Sequence, residues 1–270
     1  MKIIENQLST PGDFLELLLR SGYSLQFKSL DNINKIESSQ LIQGTTVLAF
    51  HFEGGIIVAG DRRATAGNNI MYERCDKVIP IDDYSVMAIA GAPATAFEMA
   101  RVLSHNFEYY RRSQLQSLSV EGKVRALSRL IKENVGMAMQ GVGAVSPIFA
   151  LYDQDEERSS IHFYDLLGAE FQMTTHAVTG SGSPMVKGVL EYEDIWGEKR
   201  LVERTRDEAV ELAIRLLHTA AHFDTATGKA RPEDNIYPII SIISSEGYQF
   251  MHEDEISSIF EKSIKRRVNV

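Results

Sequence analysis

Apolar and polar positions change rhythm several times along the chain, and each change marks an element. From Thr45 the run Thr45-Thr46-Val47-Leu48-Ala49-Phe50-His51-Phe52 is rich in β-branched and aromatic residues, which suit a strand. Gly54-Gly55 separates it from Ile56-Ile57-Val58-Ala59, and a Gly-Gly pair between two such runs predicts a hairpin. Gly67-Asn68-Asn69 predicts a second reversal, because Gly and Asn tolerate the left-handed backbone of tight turns. Val78–Ile81 and Ser85–Ala90 form a third pair around Asp82-Asp83. The period then lengthens. Pro93–Arg112 and Ser119–Gln140 predict helices, the second with Val120, Val124, Leu127, Leu130 and Ile131 at three- and four-residue spacing. Strand patterns return at Val145–Tyr152, Ser160–Asp165 and Glu170–Val178, and helical ones at Pro184–Trp196 and Asp207–Phe223. A last strand pair, Ile236–Ser244 and Tyr248–Met251, precedes a charged helix over Glu253–Arg267.

Strands, a helix pair, strands and a second helix pair do not alternate as βαβ units. The order predicts antiparallel sheets with helices on their outer faces, a layered α+β domain. Residues 1–44 stand apart: a short amphipathic helix over Asp13–Arg20, then polar sequence through Asn32, Asn34, Ser38, Ser39 and Gln40, ending abruptly at Gly44.

Composition narrows the function. A net charge of −9 lacks the basic face that a nucleic-acid binder needs, so no nucleic-acid partner is expected. The single cysteine, Cys75, excludes an internal disulfide and a multi-Cys zinc site, and it reads as a small buried hydrophobe. No membrane span is expected, since the weakly charged stretch Tyr84–Phe97 is shorter than the ~18 apolar residues required and contains Gly91 and Pro93. The leucines at 15, 17, 18 and 19 are interrupted by Glu16, unlike a secretory signal, and a cytoplasmic location is the expectation. His218 and His222 share a helix face without the further ligands of a metal motif, so packing is expected there and no metal or cofactor. Gly180–Pro184 lacks the third glycine of a dinucleotide fingerprint.

The predicted meander gathers four groups. A hairpin closed at Gly54-Gly55 sets Asp61 opposite Leu48, near the Thr45 end. A reversal around Asn69 sets Lys77 beside Asp61, and a turn at Asp82-Asp83 returns Gly91 to within a few residues of Lys77. A Lys beside an Asp in a partly buried site keeps both charged. No Ser-His-Asp order or Cys-His pair supplies a base. Cleavage after Gly44 would supply one, since an α-amino group titrates near 7.7–8.0 and a neighbouring ammonium lowers it further.

Gly44-Thr45-Thr46, Gly60-Asp61 sixteen residues after the threonine, and Lys77 sixteen further on resemble the catalytic β subunit of the bacterial and archaeal 20S proteasome. Gly180-Ser181-Gly182-Ser183-Pro184 and Asp224-Thr225-Ala226-Thr227-Gly228 are similar to later motifs of that family, and the likeness runs from Thr45 to about Phe250. It implies an N-terminal-nucleophile hydrolase with a four-layer αββα sandwich over residues 45–270, preceded by a propeptide, residues 1–44, removed by autocleavage of Gly44–Thr45. Thr45 would be nucleophile and base, Lys77 would tune it, and Asp61 would fix Lys77. The Gly91 N–H would serve the oxyanion hole, and Ser181, Asp224 and Thr227 would orient the amino terminus. Thr227 stands where the family has serine, and Pro93 where it often has a smaller residue.

By the same analogy Ala64, Cys75, Ile79, Ile89 and Pro93 would line the specificity pocket and favour a hydrophobic residue before the cut. The implied partners are proteasome α subunits, other β subunits in stacked heptameric rings, a ring-shaped ATPase and unfolded protein substrates. Met99, Val102, Leu103 and Phe107 are either core or a ring-contact stripe. The alternatives are a catalytically silent structural β subunit, the simpler proteasome-like bacterial peptidase, and a histidine-bound metal hydrolase.

Overall fold

Alternation along the first strand decides the architecture. In β1 (Thr46–Phe52), Leu48, Phe50 and Phe52 face one hydrophobic core, while Val47 and Ala49 face another. A strand buried on both faces must lie between two layers. The computed structural model describes Leu17, Ser21 and residues 44–67 and 69–262. Except for Leu17, which is helical, the leader helix over Asp13–Arg20 lies outside the described residues.

β1 sits in a five-stranded antiparallel sheet with β2 (Gly55–Gly60), β10 (His176–Gly180), β11 (Ile239–Ser244) and β12 (Gly247–Phe250), in the order β10-β1-β2-β11-β12. The second sheet runs β5 (Val78–Asp82), β6 (Ser85–Ala88), β7 (Ile148–Asp153), β8 (Arg158–Tyr164), β9 (Glu170–Met173). Val47, Ala49, Ile56 and Val58 meet Val86, Ala88, Ile148 and Ala150 between the sheets. Helices α1 (Pro93–Gln114) and α2 (Val120–Ala138) cover the outer face of the second sheet. Helices α3 (Ser183–Trp196), α4 (Arg206–Phe223) and α5 (Glu253–Phe260) cover that of the first. The result is the expected αββα sandwich. β3 (Ala64–Ala66) and β4 (Asn69–Tyr72) form a separate hairpin.

Local signals account for the helix ends. The Ser119 side chain accepts the Gly122 N–H and starts α2, and Thr205 with Glu208 forms a capping box that starts α4. Met99, Val102, Leu103 and Phe107 are buried against the second sheet, so they are core and not a contact stripe.

Two expectations need correction. The stretch Glu170–Val178 is not one strand. It bends at Thr174-Thr175, giving β9 to the second sheet and β10 to the first, where β10 pairs with β1. The first hairpin is also shifted by two places. Its loop is Glu53-Gly54, and Gly55 joins the strand opposite Phe52 with φ +145°. A side chain there would strike the Ile243 carbonyl oxygen, since a Cβ would stand 2.2 Å away. Asp61 therefore faces Thr46, donating its N–H to the Thr46 carbonyl at 3.1 Å, and not Leu48.

Candidate active site

The ends of β1, β2 and β10 and the approach to β5 meet at one edge. Thr45 precedes β1 and is buried, with its carbonyl accepting the Ser181 N–H at 2.8 Å and the Ser181 hydroxyl at 3.1 Å. Gly180 permits that approach, because with φ +100° it has no Cβ to meet the Thr45 oxygen, which would lie 2.1 Å from one. The Thr45 hydroxyl donates to the Gly44 carbonyl oxygen at 2.6 Å. Lys77 Nζ reaches the same oxygen at 3.1 Å.

Lys77 and Asp61 form a buried ion pair, Nζ to Oδ1 2.7 Å, with side chains 3% and 0% exposed. Such pairs hold position more than they add stability, because desolvation offsets most of the Coulombic gain. Every remaining contact fits that role. Lys77 also donates to the Arg63 carbonyl at 2.5 Å. Asp61 Oδ1 accepts the Thr46 N–H, and Oδ2 accepts the N–H groups of Arg63 and Gly228, each at 2.8 Å. The carboxylate thus joins β1, the turn after β2 and the loop after α4.

That loop carries the other anchors. Asp224 ends α4, and its Oδ2 accepts the hydroxyls of Ser181 and Thr227, both at 2.6 Å. Thr227 is fully buried and meets Thr46 Oγ1 at 2.5 Å, and Thr46 Oγ1 accepts the Gly182 N–H at 3.0 Å. The threonine at 227 therefore keeps a hydroxyl contact that a serine would make, with its methyl enclosed.

Gly91 lies next to this group in the chain trace. Ile89 donates its N–H to the Lys77 carbonyl, while the Ala92 N–H and the Ala90 carbonyl bond Ala144 and Ser146, in the segment that precedes β7. Gly91 itself forms an isolated antiparallel bridge with Val145. Its φ of +108° brings its Cα so close to the Ala144 carbonyl oxygen that a Cβ would lie 2.1 Å from it.

The remaining sequence candidates are more dispersed. Ala64 and Cys75 are buried beside the Asp61–Lys77 segment, where burial pushes the Cys75 thiol up against a lowering by Lys77. Ile79 and Ile89 pack toward α1, and Pro93 is its first residue. Ile79 also lines an open cleft of about 740 Å³ with Val78, Pro80, Phe97 and Phe250, a cleft that does not reach Thr45. His218 stacks edge-on against Phe260, and His222 against Phe223. No group of three or more His, Cys, Asp or Glu suited to a metal occurs among the described residues.

Three contributors had no role assigned from the sequence: Thr46, the backbone of Arg63, and Gly228. Gly44 itself carries more than a missing side chain. A Cβ there would fall 2.2 Å from Thr65 Oγ1 and 2.7 Å from Ala226 Cβ, so the loop after α4 and β3 close around it.

A sandwich of this order, with a threonine at the mouth of its first strand and a buried Lys–Asp pair behind it, has the N-terminal-nucleophile hydrolase fold. Residues 42–230 match the family model described as "Proteasome subunit". A "Proteasome subunit beta" of Streptomyces griseus subsp. griseus is 37% identical over 225 residues, covering 83% of this chain and 78% of that protein. Proteins of the same name from Frankia alni and Frankia casuarinae are each 36% identical over 222 residues, 82% of this chain and 78% of theirs. The chain belongs to the proteasome subunit family and is of the bacterial β type. Membership in that family implies assembly with other proteasome subunits. Among the described residues no helix is long and apolar enough to cross a membrane.

Proposed function

We propose that this chain is a threonine endopeptidase that makes its own nucleophile by cutting Gly44–Thr45. The observation that carries the reading is the convergence of the Thr45 hydroxyl and the Lys77 ammonium on the Gly44 carbonyl oxygen. Lys77 polarises that carbonyl and stabilises the negative charge that develops on its oxygen during attack. Thr45 Oγ1 adds to the Gly44 carbon, the C–N bond breaks, and the nitrogen takes up a proton, leaving an ester. That step frees the Thr45 amino group, and water then hydrolyses the ester, releasing the Gly44 carboxylate and restoring the Thr45 hydroxyl.

The same groups then serve substrate turnover. The new amine takes the hydroxyl proton, and Thr45 Oγ1 attacks a peptide carbonyl. Ser181 and Asp224, already on the Thr45 carbonyl side, hold the new terminus. The Gly91 N–H serves the oxyanion. Substrates are unfolded proteins delivered by a ring-shaped ATPase into rings of β and α subunits in the cytoplasm, with hydrophobic residues preferred before the cut.

A structural β subunit would need none of this convergence. The test is co-expression with an α-type proteasome subunit, sizing of the particle, and cleavage of a fluorogenic peptide with a hydrophobic residue before the scissile bond. Cleavage that is abolished by Thr45→Ala and indifferent to chelators supports the proposal. An assembled wild-type particle without activity supports the silent subunit, and strong chelator inhibition supports the histidine site.

A further inference from the structure

Arg63 links the two charged groups through its backbone: its N–H binds Asp61 Oδ2 at 2.8 Å, and its carbonyl accepts Lys77 Nζ at 2.5 Å. The orientation of that one residue therefore sets where the ammonium points. Its side chain is what the surrounding structure grips. Arg63 Nη2 donates to Glu73 Oε1 at 3.1 Å, and Nη1 donates to the Thr225 carbonyl at 3.0 Å. The other Glu73 oxygen, Oε2, is held by Arg231 Nη2. Arg63 Nε is buried without a partner, so the guanidinium depends on these few contacts.

Glu73 thus sits between two guanidinium groups from distant parts of the chain, on the linker from β4 to β5. Its neighbour Arg74 ties the same linker to the turn after Arg231, donating to the Asp234 carbonyl at 2.7 Å. The Glu73 carboxylate is partly shielded, with its side chain 23% exposed. Charge-assisted bonds to both arginines at such a site are stronger than neutral ones.

We infer that Glu73 is a positioning residue: through Arg63 it holds the Lys77 ammonium on the Gly44–Thr45 bond and, after cleavage, beside the Thr45 amine. Glu73 touches none of the reacting atoms. The inference rests on the proposed threonine chemistry and adds to it a residue outside the matched motifs. Glu73→Gln keeps the volume but presents an amide N–H₂ to one of the two arginines, so one bond is lost and a donor faces a donor. Arg63 then loses its fixed register, and Lys77 follows.

The test uses the particle assembled with α subunits. Glu73→Gln is expected to lower kcat by about 10- to 100-fold, the scale of a small misplacement of reacting groups, with KM unchanged. Leader release slows as well. With the ammonium displaced, the Thr45 amine is less depressed, so the acid limb of the pH–rate profile moves to higher pH. A loss of structure alone would lower the active fraction without moving that limb. Arg231→Gln, which leaves the Arg63–Glu73 contact in place, is expected to shift the same quantities in the same direction by less. Wild-type kcat and pH profile in Glu73→Gln overturn the inference. If that variant does not assemble, wild-type behaviour in Arg231→Gln overturns it, and failure of both to assemble assigns Glu73 to folding instead. A wild-type particle lacking Thr45-dependent cleavage defeats the proposed function first, and is thereby distinguished from failure of this inference.

Discussion

Lys77 Nζ lies 3.1 Å from the Gly44 carbonyl oxygen, the same oxygen that the Thr45 hydroxyl reaches at 2.6 Å. A cation on a carbonyl oxygen adjoining a nucleophile favours attack at that carbonyl, and the ion pair with Asp61 prevents the cation from turning away. Lys77→Met should therefore leave the Gly44–Thr45 bond intact in the assembled particle and abolish peptide cleavage. It also leaves a buried carboxylate without its ion-pair partner, at a cost of about 3–5 kcal/mol. The bond is read by the mass of the β chain, the cost by denaturant unfolding. Full processing in Lys77→Met would remove the lysine from the mechanism.

Gly44→Ala tests the enclosure around the scissile bond. The added methyl meets Thr65 Oγ1 at 2.2 Å and the Ala226 carbonyl oxygen at 2.9 Å, one a side chain able to turn and one a backbone atom. Processing should slow by about tenfold or more, since distortion near a reacting carbonyl is costly in rate. Chains made to begin directly at Thr45 should cleave peptides normally. Timed mass spectrometry of the precursor distinguishes the two.

Thr227→Val removes the hydroxyl that joins Thr46 Oγ1 to Asp224. Buried groups left short of a partner should destabilise the subunit by about 1–3 kcal/mol. Thr227→Ser keeps the hydroxyl and loses one enclosed methyl, which should cost about 1 kcal/mol. Denaturant unfolding of the purified β chain orders the two variants. The reverse order would contradict the hydrogen-bond assignment.

Acid should weaken the fold through histidines that have no part in the proposed chemistry. His51, His176 and His218 are all held below the usual imidazole value, chiefly by burial, and at His176 Glu191 and Asp194 oppose that shift. The unfolded chain takes up these protons more readily than the folded one. The stability they contribute is complete above about pH 6.5 and falls away as pH drops toward their depressed folded values. Thermal unfolding midpoints at constant ionic strength should fall as pH is lowered below about 6.5, and His176→Gln should flatten that fall. A midpoint that rises on acidification would contradict the assignment.

Much of the site was legible because strands impose regular spacing. Thr45, Asp61 and Lys77 fall at the same edge whenever successive strands of a meander have similar lengths, and small register errors do not scatter them. The two-place shift at Glu53-Gly54 arose because Gly-Gly reads as a loop pair. It is β11, whose Ile243 carbonyl crowds Gly55, that makes the second glycine a strand residue. The break between β9 and β10 was invisible for a related reason. Thr174-Thr175 is strand-forming material, and only the pairing of His176–Gly180 with β1 separates the two strands. Glu73 and Arg231 left no signal, since 158 residues separate them and both lie outside regular elements. Arg63 was missed because its backbone, not its side chain, touches the Asp61–Lys77 pair.

The most direct measurement is the intact mass of the β chain from a particle assembled with α subunits, wild type beside Thr45→Ala. The wild-type chain should have lost Met1–Gly44 and begin at Thr45, while the alanine variant keeps the Gly44–Ala bond. A wild-type chain that stays uncut in an assembled particle, or an alanine variant trimmed at the same bond, would contradict self-cleavage by the Thr45 hydroxyl.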